Sequence, residues 1–150
     1  MTKRQIEKFL DPMPVVVAHR GDSINHPENT LEAFKSATEM GVDVIETDVH
    51  LSKDGHVVIW HDDTLERTTD GVGRIEDFTL EELKRVDAGY QFTQDGGQTF
   101  PFRGKGVHLA TLSEALAASP QMRFNVDLKS REGEIIEAFE RVVPQNFAQP

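Results

Sequence analysis

At 150 residues the chain is long enough for one domain with a real core, and its net charge of −10 without a basic stripe argues against nucleic acid as a partner. The absence of cysteine removes disulfides, thiolate metal sites and a cysteine nucleophile together. No apolar run approaches the ~18 residues of a membrane span, and Met1 to Leu10 lacks an apolar signal core, so the expectation is a cytoplasmic protein with no transmembrane segment.

Ile6, Phe9 and Leu10 form a weak stripe that predicts a short helix before Pro12 and Pro14. Val15 to Ala18 reads as a buried strand ending in His19-Arg20-Gly21, which places polar side chains at a rim. A histidine there is as readily structural as chemical. Arg20 suits an anionic oxygen through its charge and fork geometry. Asn29 with Glu32 predicts a capping box, opening a helix from Thr30 to Met40. Its apolar face would be Leu31, Phe34, Ala37 and Met40 or Thr38, with Gly41 just past its end.

The stretch Val42 to Asp63 is the centre of the sequence. Two β-branched apolar runs flank Ser-Lys-Asp-Gly and read as strands joined by a turn. Residues 51–56 are too few for a parallel crossover, so strands 44–50 and 57–61 should pair as an antiparallel hairpin. Glu46 and Asp48 share one strand face, roughly 6.5 Å apart. Buried acids need neutralising, and a hard divalent cation does so most simply. The alternative is a solvated edge strand. The hairpin sets Asp48 opposite Trp60 or His61, bringing that histidine toward the acids.

A polar loop follows His61. Thr79 with Glu82 predicts a capped helix to about Val86. Residues 88–106, rich in Gly, Gln and Thr, read either as a lid or as a surface insertion. Thr111 with Glu114 caps another helix, ended by Pro120. Arg123 to Lys129 reads as a strand with Phe124, Val126 and Leu128 on one face and Asn125, Asp127 and Lys129 on the other, a polar working face. A last helix, about Glu132 to Val143, should carry Ile135, Ile136, Phe139, Val142 and Val143 and end at Pro144. The alternation of strands and helices indicates an α/β protein, and polar residues at strand ends indicate a (β/α) barrel.

His19-Arg20-Gly21, Pro27-Glu28-Asn29-Thr30, Glu46-Thr47-Asp48-Val49, His61-Asp62, Arg67 to Gly73 and Asn125 to Lys129, in this order, closely resemble the glycerophosphodiester phosphodiesterase family. The resemblance implies a TIM-type barrel of the phospholipase-C-like kind, a divalent metal (Mg²⁺ or Ca²⁺) and cleavage of glycerophosphodiesters to glycerol 3-phosphate and an alcohol. It implies His19 and His61 as the acid–base pair. It implies Glu46, Asp48 and Asp127 as metal ligands, although many members carry Glu at the last position. It implies Arg20 and Lys129 as phosphate-facing cations. An eight-stranded barrel takes about 250 residues, so 1–150 reads as a single domain forming the N-terminal half of one. The expectation is a fragment missing its C-terminal half, or a homo-oligomer. Two rival readings stand beside this. One is a lysophospholipase D with Trp60, Phe92, Phe100 and Phe102 around an acyl chain. The other is a non-catalytic fragment that binds a metal or a partner.

Overall fold

Strand β2 (Val44–Leu51) carries the sheet. Strand β1 (Val17–His19) runs parallel to its first half, pairing Val17 with Val44 and His19 with Glu46. Strand β3 (Val57–Ile59) runs antiparallel to its end, pairing Val49 with Ile59 and Leu51 with Val57. Strand β4 (Arg123–Leu128) runs parallel along the other edge, from Val44 opposite Arg123 to Val49 opposite Leu128. The computed structural model describes residues 14–129 and 133–147, of which 144–147 as backbone only, so the expected helix before Pro12 lies outside the described residues.

The hairpin forms as the short connection requires. The Ser52 hydroxyl donates to Asp54 and accepts from the His56 N–H, and the Ser52 N–H donates to the His56 carbonyl. The β1-to-β2 connection is the parallel case and uses a helix, α1 (Leu31–Glu39), as its crossover.

Alternation divides the sheet into two faces. Ala18, Ile45, Val49, Ile59, Phe124, Val126 and Leu128 pack with Phe34 and Ala37 of α1 in one core. Helix α3 (Leu112–Ala118) adds Leu112, Ala115 and Leu116 to it, and α4 (Gly133–Phe147) adds Ile135 and Ala138. Each fully buried large side chain contributes about 1.5–3 kcal/mol by leaving water. Val58 and Trp60 point to the other face. There they meet a second cluster with Leu65, Ile75, Leu83, Val107 and Leu109, supplied by the chain between β3 and α3.

Thr79 and Thr111 form the expected capping boxes with Glu82 and Glu114. Helix α2 (Leu80–Leu83) is shorter than expected. Helix α4 continues past its expected end at Pro144 to Phe147. Ile136 is exposed rather than part of its buried stripe. At α1 the expected capping box is absent. Thr30 is the N-cap, accepting from the Ala33 N–H, and Asn29 lies outside the helix.

Candidate active site

The polar residues converge where β1 and β4 end against the middle of β2. Parallel pairing places His19, Glu46 and Asn125 in one layer across the sheet and Asp48 and Asp127 in the next. Neighbouring strands lie about 4.8 Å apart, so the carboxylates of Asp48 and Asp127 come within reach of a common cation. Lys129 follows β4 directly, its N–H donating to the Val49 carbonyl. Its ammonium lies 2.6 Å from Asp127 and 3.0 Å from Asp48 Oδ1. The hydrogen bond to Asp127, with the Asp48 charge, raises its pKa against the opposing effect of burial.

Asp48 is 1 % exposed and is the most enclosed acid of the group. Arg20 Nε approaches its Oδ2 at 3.4 Å, while the Arg20 backbone N–H donates to the Glu46 carboxylate at 3.1 Å. His19 Nε2 lies 3.9 Å from the same Glu46 carboxylate, and its ring is largely open to solvent. An open imidazole beside an acid is placed to exchange protons with a bound molecule.

Turn geometry brings in the residues after β3. The Trp60 N–H donates to the Asp48 carbonyl, so of the two residues the hairpin could set opposite Asp48 it is Trp60, and His61 follows it in the chain. His61 Nδ1 meets Asp62 at 2.5 Å, and the His61 carbonyl lies 3.1 Å from buried His50 Nε2. Arg67 grips Asp62 at 2.5 Å and Glu28 at 2.5 Å and 3.0 Å, and Glu28 also accepts from Arg20 at 2.8 Å. Burial alone would raise the Glu28 and Asp62 carboxyls. The hydrogen bonds and charge of Arg67, with Arg20 at Glu28 and His61 at Asp62, outweigh it and hold both below their usual range. Arg67 is raised in return, chiefly by Glu28.

Beside this clamp lies a cleft of about 270 Å³ lined by Pro27, Glu28, Arg67, Gln91, Phe92 and Thr93. Segment 88–106 is tied to its surroundings by Gln94, which donates to the Ile24 carbonyl, and Gln91, which donates to the Thr69 carbonyl. It packs on itself where Phe92 meets Phe102 edge-on at 5.2 Å and Arg103 lies over the Tyr90 and Phe100 rings.

Glu46, Asp48 and Asp127 are all hard oxygen donors on one sheet face, and by donor type they fit a hard divalent cation. Among the described residues no three acidic or histidine side chains are already gathered as a cage, the Lys129 ammonium instead balancing Asp48 and Asp127. From the sequence, Glu28 could face the site, whereas Asn29, Asp62 and Arg67 carry no site role. Asn29 was hidden by its apparent fit to a cap. Glu28 and Arg67 are 39 residues apart, so no local pattern records that they pair.

The Glycerophosphoryl diester phosphodiesterase family profile matches residues 19–148. The chain is 49% identical over 118 residues to a glycerophosphodiester phosphodiesterase of Caldanaerobacter subterraneus, covering 77% of this chain and 45% of the relative. It is 40% identical over 119 residues to that of Bacillus altitudinis, covering 79% and 46%. Among solved structures, an Oleispira antarctica phosphodiesterase in complex with the product sn-glycerol-3-phosphate aligns with a TM-score of 0.77 at 41% identity, over 91% of this chain and 54% of that one. The Agrobacterium tumefaciens glycerophosphodiester phosphodiesterase aligns with a TM-score of 0.74 at 31% identity, over 89% and 54%. The chain thus spans about half the length of the relatives it matches, and its mixed α/β sheet corresponds to part of their (β/α) barrel. On the profile match, the identities and the shared fold, the chain belongs to the glycerophosphoryl diester phosphodiesterase family.

Proposed function

We propose that this chain carries the catalytic face of an enzyme that hydrolyses glycerophosphodiesters to glycerol 3-phosphate and an alcohol with Mg²⁺ or Ca²⁺. The observation that supports this best is the gathering of His19, Arg20, Glu46, Asp48, Asp127 and Lys129 where β1 and β4 end against the middle of β2, in a chain of this family. The product held by the Oleispira antarctica relative, sn-glycerol-3-phosphate, agrees with that substrate class.

A phosphodiester is an anion that repels nucleophiles, so the site must first offset its charge. Glu46, Asp48 and Asp127 would hold the cation, and the cation would supply charge neutralisation and polarisation of the phosphoryl group. Arg20 and Lys129 face the non-bridging oxygens, where charge grows in the transition state. Of His19 and His61, one takes the proton of the attacking hydroxyl and the other returns one to the leaving alkoxide. The attacker is the substrate's own glycerol 2-hydroxyl, giving a cyclic phosphate that water then opens. Asp62 on Nδ1 leaves the other nitrogen of His61 for this exchange. Segment 88–106 lines the cleft beside Glu28 and Arg67 through Gln91, Phe92 and Thr93.

The aromatic residues offer less to an acyl chain. Trp60 is buried in the second core, Phe102 packs on Phe92 and His26, and Phe100 lies under Arg103. The test is release of glycerol 3-phosphate from glycerophosphocholine, with Mg²⁺, with Ca²⁺ and with chelator. The expected result is metal-dependent release that His19→Ala and His61→Ala each reduce by about 100-fold or more. Full turnover in either variant refutes that residue's role, and turnover in chelator refutes the metal.

A further inference from the structure

Two non-glycine residues among those described have left-handed backbones, Arg20 at φ 59° and Asn29 at φ 57°. They bracket the loop between β1 and α1 and are joined by the Asn29 N–H donating to the Arg20 carbonyl at 3.0 Å. Both side chains lead to the same atom, Asp48 Oδ2. Non-glycine residues in this region are uncommon, and they persist where the surroundings hold them.

The two are not equivalent. Arg20 Nε stands 3.4 Å from Oδ2 and is buried without a hydrogen-bond partner. The Asn29 amide donates to Oδ2 at 3.0 Å. Its orientation follows from chemistry, because an ionised carboxylate only accepts and must meet Nδ2. The Asn29 Oδ1 then accepts from the Thr47 hydroxyl at 2.8 Å, which fixes the amide plane from behind. Asn29 is 2 % exposed, Thr47 0 % and Asp48 1 %, so the relay lies out of water. Asp48 Oδ1 points the other way, toward Lys129.

We propose that Asn29 is a positioning residue. Held by Thr47, it fixes Asp48 through Oδ2 so that Oδ1 alone is presented on the working face as a one-oxygen cation ligand. This rests on the reading of Asp48 as a ligand given above. It also explains the capping failure at α1: the side chain suited to a cap is spent on the carboxylate, and Thr30 caps instead.

The test is calorimetric titration of Mg²⁺ and of Ca²⁺ into the wild type, Asn29→Gly, Asn29→Ala and Thr47→Val, with melting temperature measured alongside. Glycine keeps the left-handed backbone and loses only the amide, whereas alanine loses the amide and strains the backbone. If the amide positions Asp48, Asn29→Gly and Asn29→Ala weaken cation affinity alike, by about 10-fold or more, while both lower the melting temperature by unpairing buried Asp48 and Thr47 and alanine lowers it further through its strained backbone. Thr47→Val weakens affinity in the same direction. If the backbone alone matters, Asn29→Gly binds as the wild type does, and the proposal is overturned. Should Asn29→Gly not fold, Thr47→Val decides: unchanged affinity overturns the proposal. If the wild type takes up neither cation, the ligand reading fails separately. Crystal structures of the wild type and Asn29→Gly then decide the positioning, an unmoved Asp48 carboxylate refuting it and a rotated one supporting it.

Discussion

Replacing Gly21 by alanine should be among the most damaging single-methyl changes in the chain. Gly21 has φ +80° and follows Arg20, turning the chain from the end of β1 onto α1. A Cβ there would lie 2.8 Å from the Ala33 carbonyl carbon, 2.9 Å from Ala33 Cβ and 2.9 Å from Phe34 Cδ1. Ala33 and Phe34 are buried, and the first of these atoms is backbone, so the neighbours cannot simply rotate away. Gly41 provides the control, with φ +77° and nothing within 4 Å of its Cβ position. Gly41→Ala should cost only the left-handed backbone, about 1 kcal/mol. Gly21→Ala adds overpacking of about 1–3 kcal/mol, for a total of about 2–4 kcal/mol. For a chain of this length the melting temperature should fall by about 2–4 °C at Gly41 and about 5–15 °C at Gly21. Thermal unfolding followed by circular dichroism measures both. Equal shifts in the two variants would refute the close-packing argument and leave Gly21 as a turn residue only.

Other outcomes follow from the same contacts. Asp62→Asn keeps the shape of the His61 partner but removes its charge, so kcat for glycerophosphodiester cleavage should fall more than KM changes; an unchanged kcat would detach Asp62 from His61. Removing the Thr111 cap with alanine should cost about 1 kcal/mol, read as a lower urea midpoint. Glu28 and Asp62 are held below their ordinary values of 4.5 and 3.8, so their contribution to stability is complete above those values and is lost as pH falls through the lower folded ones. The wild-type urea midpoint should therefore drop with acid below about pH 4.5 more steeply than that of Arg67→Ala. Parallel curves would show that the clamp contributes nothing, the outcome to expect if solvent screens the half-exposed Arg67 entirely.

Local chemistry made a good part of the fold legible. So short a connection cannot cross over a sheet, so the β2–β3 hairpin followed from loop length, with Trp60 or His61 set opposite Asp48, and the pairing in the structure chose Trp60. The capping boxes at Thr79 and Thr111 needed only their own four residues. The polar face of Asn125 and Asp127 came from alternation alone. These features rest on short-range geometry, which a sequence states directly.

The partners of the site residues were not legible in this way. Asn29 and Glu32 have the spacing of a cap, and no local rule records that the Asn29 amide is needed 19 residues away at Asp48. Arg67 lies 39 residues from Glu28 and reads as one more charge in a polar loop until the loops after β1 and β3 are set side by side. Lys129 can stand between Asp48 and Asp127 only once β4 has paired along β2 in one register. The sequence by itself determined which side chains each strand and helix offers and to which face, because those periods are local. The tertiary structure decided which of them meet, because a hydrogen bond between distant segments depends on how the sheet and its loops are packed together.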